Sequence, residues 1–273
     1  MIDAGPLSSH LLPLIGLTFL LGLRHGMDPD HLAVVDNLTR FNAGRSGHAR
    51  WCGLFFSLGH GAMVTLVAAL LALAASARQI PPWVEIAGNL VSISFLLAIG
   101  IMNLLTLGRS LPGTAVAPRG LRAGLLGAWM GRATRVTHPL LISLIGAAFA
   151  ISMDTMSQAA VFSLAASGKF AWGVALLLGC IFTAGMLAVD AANGLWIYRL
   201  INTSATSAAW SRRLTLAIAL LSLGIAAVGA ARLASTTLDA WYGLYTLQIG
   251  IATALLLAAV FMAGRTRRAA PNP

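Results

Sequence analysis

Eight consecutive residues carry the densest chemistry of this 273-residue chain: Arg24-His25-Gly26-Met27-Asp28-Pro29-Asp30-His31. Two imidazoles and two carboxylates fall within seven positions and continue an apolar run that begins at Leu11. Mixed nitrogen and oxygen donors suit borderline divalent ions such as Ni²⁺, Co²⁺ and Zn²⁺, and no thiolate stands beside them to favour Cu⁺. Ionisable groups at bilayer depth are costly unless they are paired or hydrated, and a cation supplies a reason for their presence.

On a regular helix His25, Asp28 and His31 spread over an arc of about 120°. Pro29 alters that arrangement. It lacks an N–H, so the carbonyl of His25 loses its usual partner and the helix should kink or open there. Irregular backbone at membrane depth is tolerated only where it lines a polar cavity or is buried in protein.

Further polar groups fall inside apolar runs: His60, between Gly59 and Gly61, and Asp154, beside Thr155, Ser157 and Gln158. His25, Asp28, His31, His60 and Asp154 are the candidate metal ligands. Asp30, Asp36, Gln158, Asp190 and Asn193 are candidates for supporting those ligands or lining the ion's path. Asp36 is also placed to pair with Arg40 at i+4 near a helix end, and Asp190 and Asn193 read as lying near the inner end of their span. Arg24 is expected to counter a carboxylate such as Asp28 or Asp154, since a cation repels a cation. His10, His48 and His138 lie in loops or at span ends and read as incidental, and Glu85 and Asp239 stand near helix starts, where a carboxylate favours the dipole.

The elements that must position these groups follow from composition. Hydrophobic residues make up 58% of the chain and charged residues 10%, and the mean hydropathy is +0.83. Soluble domains carry roughly one-quarter charged residues, so this is an all-α integral membrane protein. The net charge of +10 does not indicate nucleic-acid binding, because the basic residues sit in short loops without interleaved aromatics.

At about 20 residues per span, seven helices are expected near 11–36, 52–76, 83–107, 139–167, 170–198, 213–235 and 240–263. Loop charges support that count. Arg40, Arg45 and Arg50; Arg109, Arg119, Arg122, Arg132 and Arg135; Arg199, Arg212 and Arg213; and Arg265, Arg267 and Arg268 all fall on one side. Only Arg78, Lys169 and Arg232 fall on the other. The positive-inside rule then predicts an external N-terminus and a cytoplasmic C-terminus. No cleavable signal peptide is expected, because the first apolar run lacks a basic n-region. Cys52 and Cys180 fall in apolar runs and read as small buried residues, with no disulfide.

The chain reads as one polytopic membrane domain over 1–273, with halves at 1–107 and 139–273 joined by a basic cytoplasmic connector at 108–138. Met27-Asp28 followed by Ala33-Val34 resembles Met153-Asp154 followed by Ala160-Val161. A repeat of three helices forces its two copies into opposite orientations, which gives two inverted three-helix repeats plus one extra helix, the plan of many secondary transporters. Gly22-x-x-x-Gly26 is a packing motif that serves dimerisation or intramolecular contact equally well.

With these motifs in view, the chain resembles the nickel/cobalt transporter (NiCoT) family of secondary metal permeases. The family signature, of the form RHAxDADHI, is similar to Arg24-His25-Gly26-Met27-Asp28-Pro29-Asp30-His31-Leu32, and its continuation to Asp36-Asn37-Leu38-Thr39-Arg40. Phe55-Phe56-Ser57-Leu58-Gly59-His60-Gly61 resembles a second motif, while Ser152 to Gln158 and Gly185 to Asn193 match a third and fourth in part. Gln158 stands where the family has glutamate and Asn193 where it has aspartate. Members carry eight spans, against the seven that loop charges support here.

The resemblance implies uptake of Ni²⁺ or Co²⁺ as the transported substrate across a bacterial cytoplasmic membrane, with no cofactor and no enzymatic activity. No P-loop is present, so ATP hydrolysis by this chain is not expected. Alternatives are a metal-binding subunit or sensor of a larger uptake complex, an exporter, or an intramembrane metallohydrolase, although no HExxH occurs.

Overall fold

The computed structural model describes residues 7–43, 47–74, 81–109, 138–151, 153–165, 171–203 and 208–266. The side chains of 7–11, 82, 85, 153, 154, 156, 157, 203, 208–210 and 261–266 lie outside that description, as does most of the 108–138 connector. The described residues form helices and no strand: α1 (Leu7–Gly26), α2 (Pro29–Asn42), a short 3₁₀ turn (Ala49–Trp51), α3 (Cys52–Leu73), α4 (Pro82–Arg109), α5 (Pro139–Phe149), α6 (Met153–Ala165), α7 (Ala171–Thr203), α8 (Ala208–Ala234) and α9 (Thr236–Thr266). Among the described residues, five stretches are long and apolar enough to cross a membrane: α3 with the 3₁₀ turn before it, and parts of α4, α7, α8 and α9. Large apolar side chains such as Leu66, Leu70, Leu244 and Leu255 point outward, as expected where the surrounding solvent is lipid.

Two of the expected spans are interrupted. The first breaks where Pro29 predicted: α1 ends at Gly26 and α2 begins with Pro29 at its first position, where a missing N–H costs nothing. The carbonyl of His25 is not left unpaired, as the sequence suggested, because a tight turn delivers the Asp28 N–H to it at 3.0 Å. The expected fourth span is likewise two pieces, α5 and α6, with the chain turning at Ala150 and Ile151. No proline marks that second break.

Helix α2 is enclosed. Twelve of its fourteen residues are buried, all but Asp30 and Arg40, so its polar side chains face protein rather than water or lipid. Asp36 does pair with Arg40, at 2.8 Å, but inside the bundle and not at an exposed helix end. Asn37 donates to the Ala33 carbonyl at 2.7 Å and to Ser222 Oγ at 3.2 Å, and accepts from Asn103 Nδ2 at 2.9 Å. These bonds fasten α2 to α4 and α8.

The two halves exchange partners. α1 packs on α7 of the second half, α5 packs on α3 of the first, and α3 and α7 pack extensively against each other. Small residues allow the approach. A Cβ on Gly22 would meet the backbone carbonyl of Phe182, and one on Gly26 would lie 2.9 Å from the Met186 carbonyl, so the Gly22-x-x-x-Gly26 stripe serves contact within the chain. Apolar clusters accompany this packing: Val34, Leu38, Phe56, Leu96 and Phe149 in one, Val64, Phe162, Leu178, Phe182 and Met186 in another. Cys52 is buried as expected, but Cys180 is exposed on the outside of α7; both are free thiols.

Candidate metal centre

The break between α1 and α2 does what a regular helix could not. It brings the rings of His25 and His31 to a centroid distance of 4.6 Å, edge to face. His60, from α3, completes the group, with ring centroids 5.2 Å from His25 and 4.7 Å from His31. One nitrogen of each imidazole lies within 4.8 Å of the others, and all three side chains are buried.

His25 Nε2 and His60 Nε2 are 3.2 Å apart. Two nitrogens bound at about 2.1 Å to one ion with tetrahedral angles stand roughly 3.4 Å apart, so this spacing fits a shared cation with little rearrangement. Thr155 Oγ1, from α6, lies 3.4 Å from His25 Nε2 and 3.3 Å from His60 Nε2, which closes the centre from the other half of the chain.

Carboxylates stand at the far nitrogens of two imidazoles, as a hydrogen bond at His31 and as a charge contact at His25. Asp28 Oδ2 is 2.8 Å from His25 Nδ1, and Asp190 Oδ2 is 3.1 Å from His31 Nδ1. A carboxylate–histidine hydrogen bond like that of Asp190 and His31 fixes the ring orientation and leaves Nε2 to ligate. Ser57 Oγ donates to the same Asp190 oxygen at 2.7 Å, orienting it in turn. Phe182 and Phe56 wall the cluster, against His25 and His31 respectively.

The other sequence candidates separate clearly. Asp28 lies against His25 and outside the three-imidazole group. Asp190 is mid-helix in α7, which continues to Thr203, so it is not at a helix end; it bears on His31. Asp30 accepts the His31 backbone N–H at 3.0 Å. Gln158 lines a cavity of about 320 Å³ with Arg24, His25 and Asp28, and its Oε1 is buried without a hydrogen-bond partner. Asn193 Nδ2 is also buried without one. Asp36 belongs with Arg40, and the side chain of Asp154 lies outside the described residues.

Arg24 donates to the Gly243 carbonyl of α9 at 2.9 Å; of the two carboxylates expected to face it, the side chain of Asp154 lies outside the described residues. His138 caps the start of α5 by accepting from the Leu140 N–H at 3.3 Å. Thr155 and Ser57 did not stand out in the sequence as functional residues. Thr155 follows the Met153-Asp154 pair that repeats Met27-Asp28, and Ser57 lies three residues before His60, signals that could have found them.

Long apolar helices, two interrupted helices and three buried imidazoles define a multi-pass helical membrane protein with an internal group of side chains that could hold a metal ion. The chain belongs to the NicO family, described as high-affinity nickel-transport protein, which matches residues 11–265. It is 30% identical over 209 residues to the cobalt transport protein NhlF of Rhodococcus rhodochrous, covering 67% of this chain and 58% of that protein. It is 32% identical over 205 residues both to a high-affinity nickel transport protein of Cupriavidus necator and to the nickel transporter NicT of Mycobacterium tuberculosis. The match covers 66% of this chain in each case, with 57% of the first relative and 55% of the second. The chain thus spans less than two thirds of these relatives' length. No solved structure matches it.

Proposed function

We propose that this chain is a secondary transporter that takes up Ni²⁺ or Co²⁺ across a bacterial cytoplasmic membrane. The observation that carries the reading is the buried three-imidazole group of His25, His31 and His60, closed by Thr155 and Asp190 from the other half. The names of the relatives, nickel and cobalt transporters, support the same substrate class.

The proposed topology has seven crossings, with α1–α2 and α5–α6 as discontinuous spans in two inverted repeats. The N-terminus is external and the C-terminus cytoplasmic. The exchange of partners between α1 and α5 supports the repeat, and the loop charges support the orientation. Interrupted helices at corresponding places in two halves are where transporters of this plan bind their ions.

In the mechanism, His25, His31 and His60 replace part of the ion's hydration shell through ring nitrogens. Asp28 and Asp190 hold two of the rings in register and balance the incoming charge. Asp154, Gln158 and Asn193 lie on elements that would line the path beyond it. Rocking of one repeat against the other would then alternate access. Inward movement of a dication gains about 4.6 kcal/mol per 100 mV, so uptake needs no nucleotide.

Purified protein in liposomes, without ATP and under an inside-negative potential, should accumulate Ni²⁺ or Co²⁺. His25→Ala and His60→Ala should each reduce the rate at least tenfold. Normal accumulation by variants that insert correctly would overturn the reading.

A further inference from the structure

A cavity of about 270 Å³ runs between α4, α8 and α9 and has no part in the imidazole cluster itself. Its walls include Asn89 and Ser92 from the first half of α4, and Arg232, Asp239 and Tyr242 from the end of the bundle where α8 hands over to α9. Asp28, the carboxylate beside His25, lines it at the helix break. The cavity therefore joins one end of the bundle to the edge of the metal centre.

Two buried polar groups on this cavity lack partners. Ser92 Oγ and Asp28 Oδ1 have no hydrogen bond, and each residue is only 8% exposed. An unpaired buried polar atom costs about 1–3 kcal/mol, and a roomy polar cavity removes that cost by holding water or an ion. At about 30 Å³ per water, this volume accommodates several, enough for a partly hydrated cation.

Arg232 would repel such a cation if its charge were uncompensated. Its Nε instead donates to Asp239 Oδ1 at 2.7 Å, and its guanidinium carbon sits 4.3 Å from the centre of the Tyr242 ring. The passage is thus balanced at the α8–α9 end and negative at its inner end, where Asp28 and Asp30 both line it.

The geometry points to this cavity as the hydrated passage by which a divalent metal cation reaches the three-imidazole centre, with Ser92 on its wall and Asp28 as the group that hands the ion to His25. The inference rests on the transport reading. It deepens that reading by naming the route.

Single cysteines at Ser92 and Asn89, in a Cys52→Ala, Cys180→Ala background, test it in sealed vesicles with an impermeant cationic methanethiosulfonate reagent. Both should label from the same face as Ser235→Cys in the α8–α9 turn, and at least tenfold faster than Leu90→Cys on the exposed apolar side of α4. Modification should cut Co²⁺ uptake at least tenfold while changing the Co²⁺ affinity of the solubilised protein less than threefold. Co²⁺ should slow labelling at Ser92→Cys. Failure of both cysteines to label, or labelling with uptake unchanged, overturns the passage. A wild-type protein that accumulates no metal overturns the transport reading instead, and labelling at positions 89 and 92 then decides separately whether the cavity is open to water.

Discussion

Asp190 Oδ2 lies 3.1 Å from His31 Nδ1, between two side chains that are almost wholly buried and 159 residues apart in sequence. The pair joins α7 of one half to the broken helix of the other, and it fixes the ring of His31 beside those of His25 and His60. Removing a carboxylate that orients a metal-binding imidazole typically costs 10–100-fold in affinity. Asp190→Ala should therefore weaken Co²⁺ binding by about that factor in calorimetric titration. Asp190→Asn keeps the volume and a hydrogen-bond acceptor, so it should fall between. Unchanged affinity in Asp190→Ala would remove Asp190 from the centre.

Metal binding at the proposed centre must compete with protons. An imidazole ligates only when neutral, and this centre offers three. Affinity for Co²⁺ should fall as pH falls, because each ring that takes a proton is lost as a ligand and adds positive charge beside the site. His60→Ala removes one of the competing rings, so the residual binding should depend less steeply on pH than in the wild type. Titrations of Co²⁺ visible absorption at stepwise lower pH measure both slopes, and equal slopes would exclude His60 as a ligand.

Much of this site was legible in the chain, for reasons that stop at identifiable residues. Pro29 announces the first helix break because it removes a backbone donor, and His25 and His31 beside it announce the chemistry. The second break, at Ala150 and Ile151, carries no proline. The sequence accordingly read 139–167 as one span. The partner of Asp190 was not readable from spacing, since it lies across the contact of two halves. Asp36 and Arg40 did form the expected i+4 pair, but local spacing could not reveal that α2 is enclosed on nearly every side. The stripe of Gly22 and Gly26 signalled close packing without naming α7 as the helix packed against.

The packing of the two halves depends on positions where any side chain would strike backbone. A Cβ on Gly59 would meet the Ser143 carbonyl, and Ser143 Oγ already donates to the Phe55 carbonyl beside it, so this contact cannot open without losing a bond. Over-packing of this kind costs about 1–3 kcal/mol or more. Gly22→Val and Gly59→Val should each lower the unfolding free energy in detergent by at least that amount, and Gly59→Val should also displace His60 and weaken Co²⁺ binding. Gly16→Ala is the contrast: nothing lies within 4 Å of a Cβ there, so it should be neutral or stabilise by a few tenths of a kcal/mol up to about 1. Equal losses at Gly16 and Gly22 would show that helix propensity, and not contact, sets the effect.

Asn37 ties the enclosed helix α2 to its neighbours, accepting from Asn103 at 2.9 Å and donating to Ser222 at 3.2 Å. Two magnitudes compete for what this is worth. Orphaning a buried acceptor in a soluble core costs about 1–3 kcal/mol. Interhelical hydrogen bonds in membranes average roughly 0.6 kcal/mol, because chains unfolded in the bilayer also find partners. The second figure should govern, since α4 and α8 both lie in apolar spans. A double-mutant cycle of Asn37→Ala and Asn103→Ala should give a coupling near 0.6 kcal/mol and below about 1.7. Backbone amides of α2 should exchange faster in either variant while those of α3 and α7 hold. A coupling near zero, with α2 exchange unchanged, would mean that apolar packing of Val34, Val35 and Leu38 alone retains the helix.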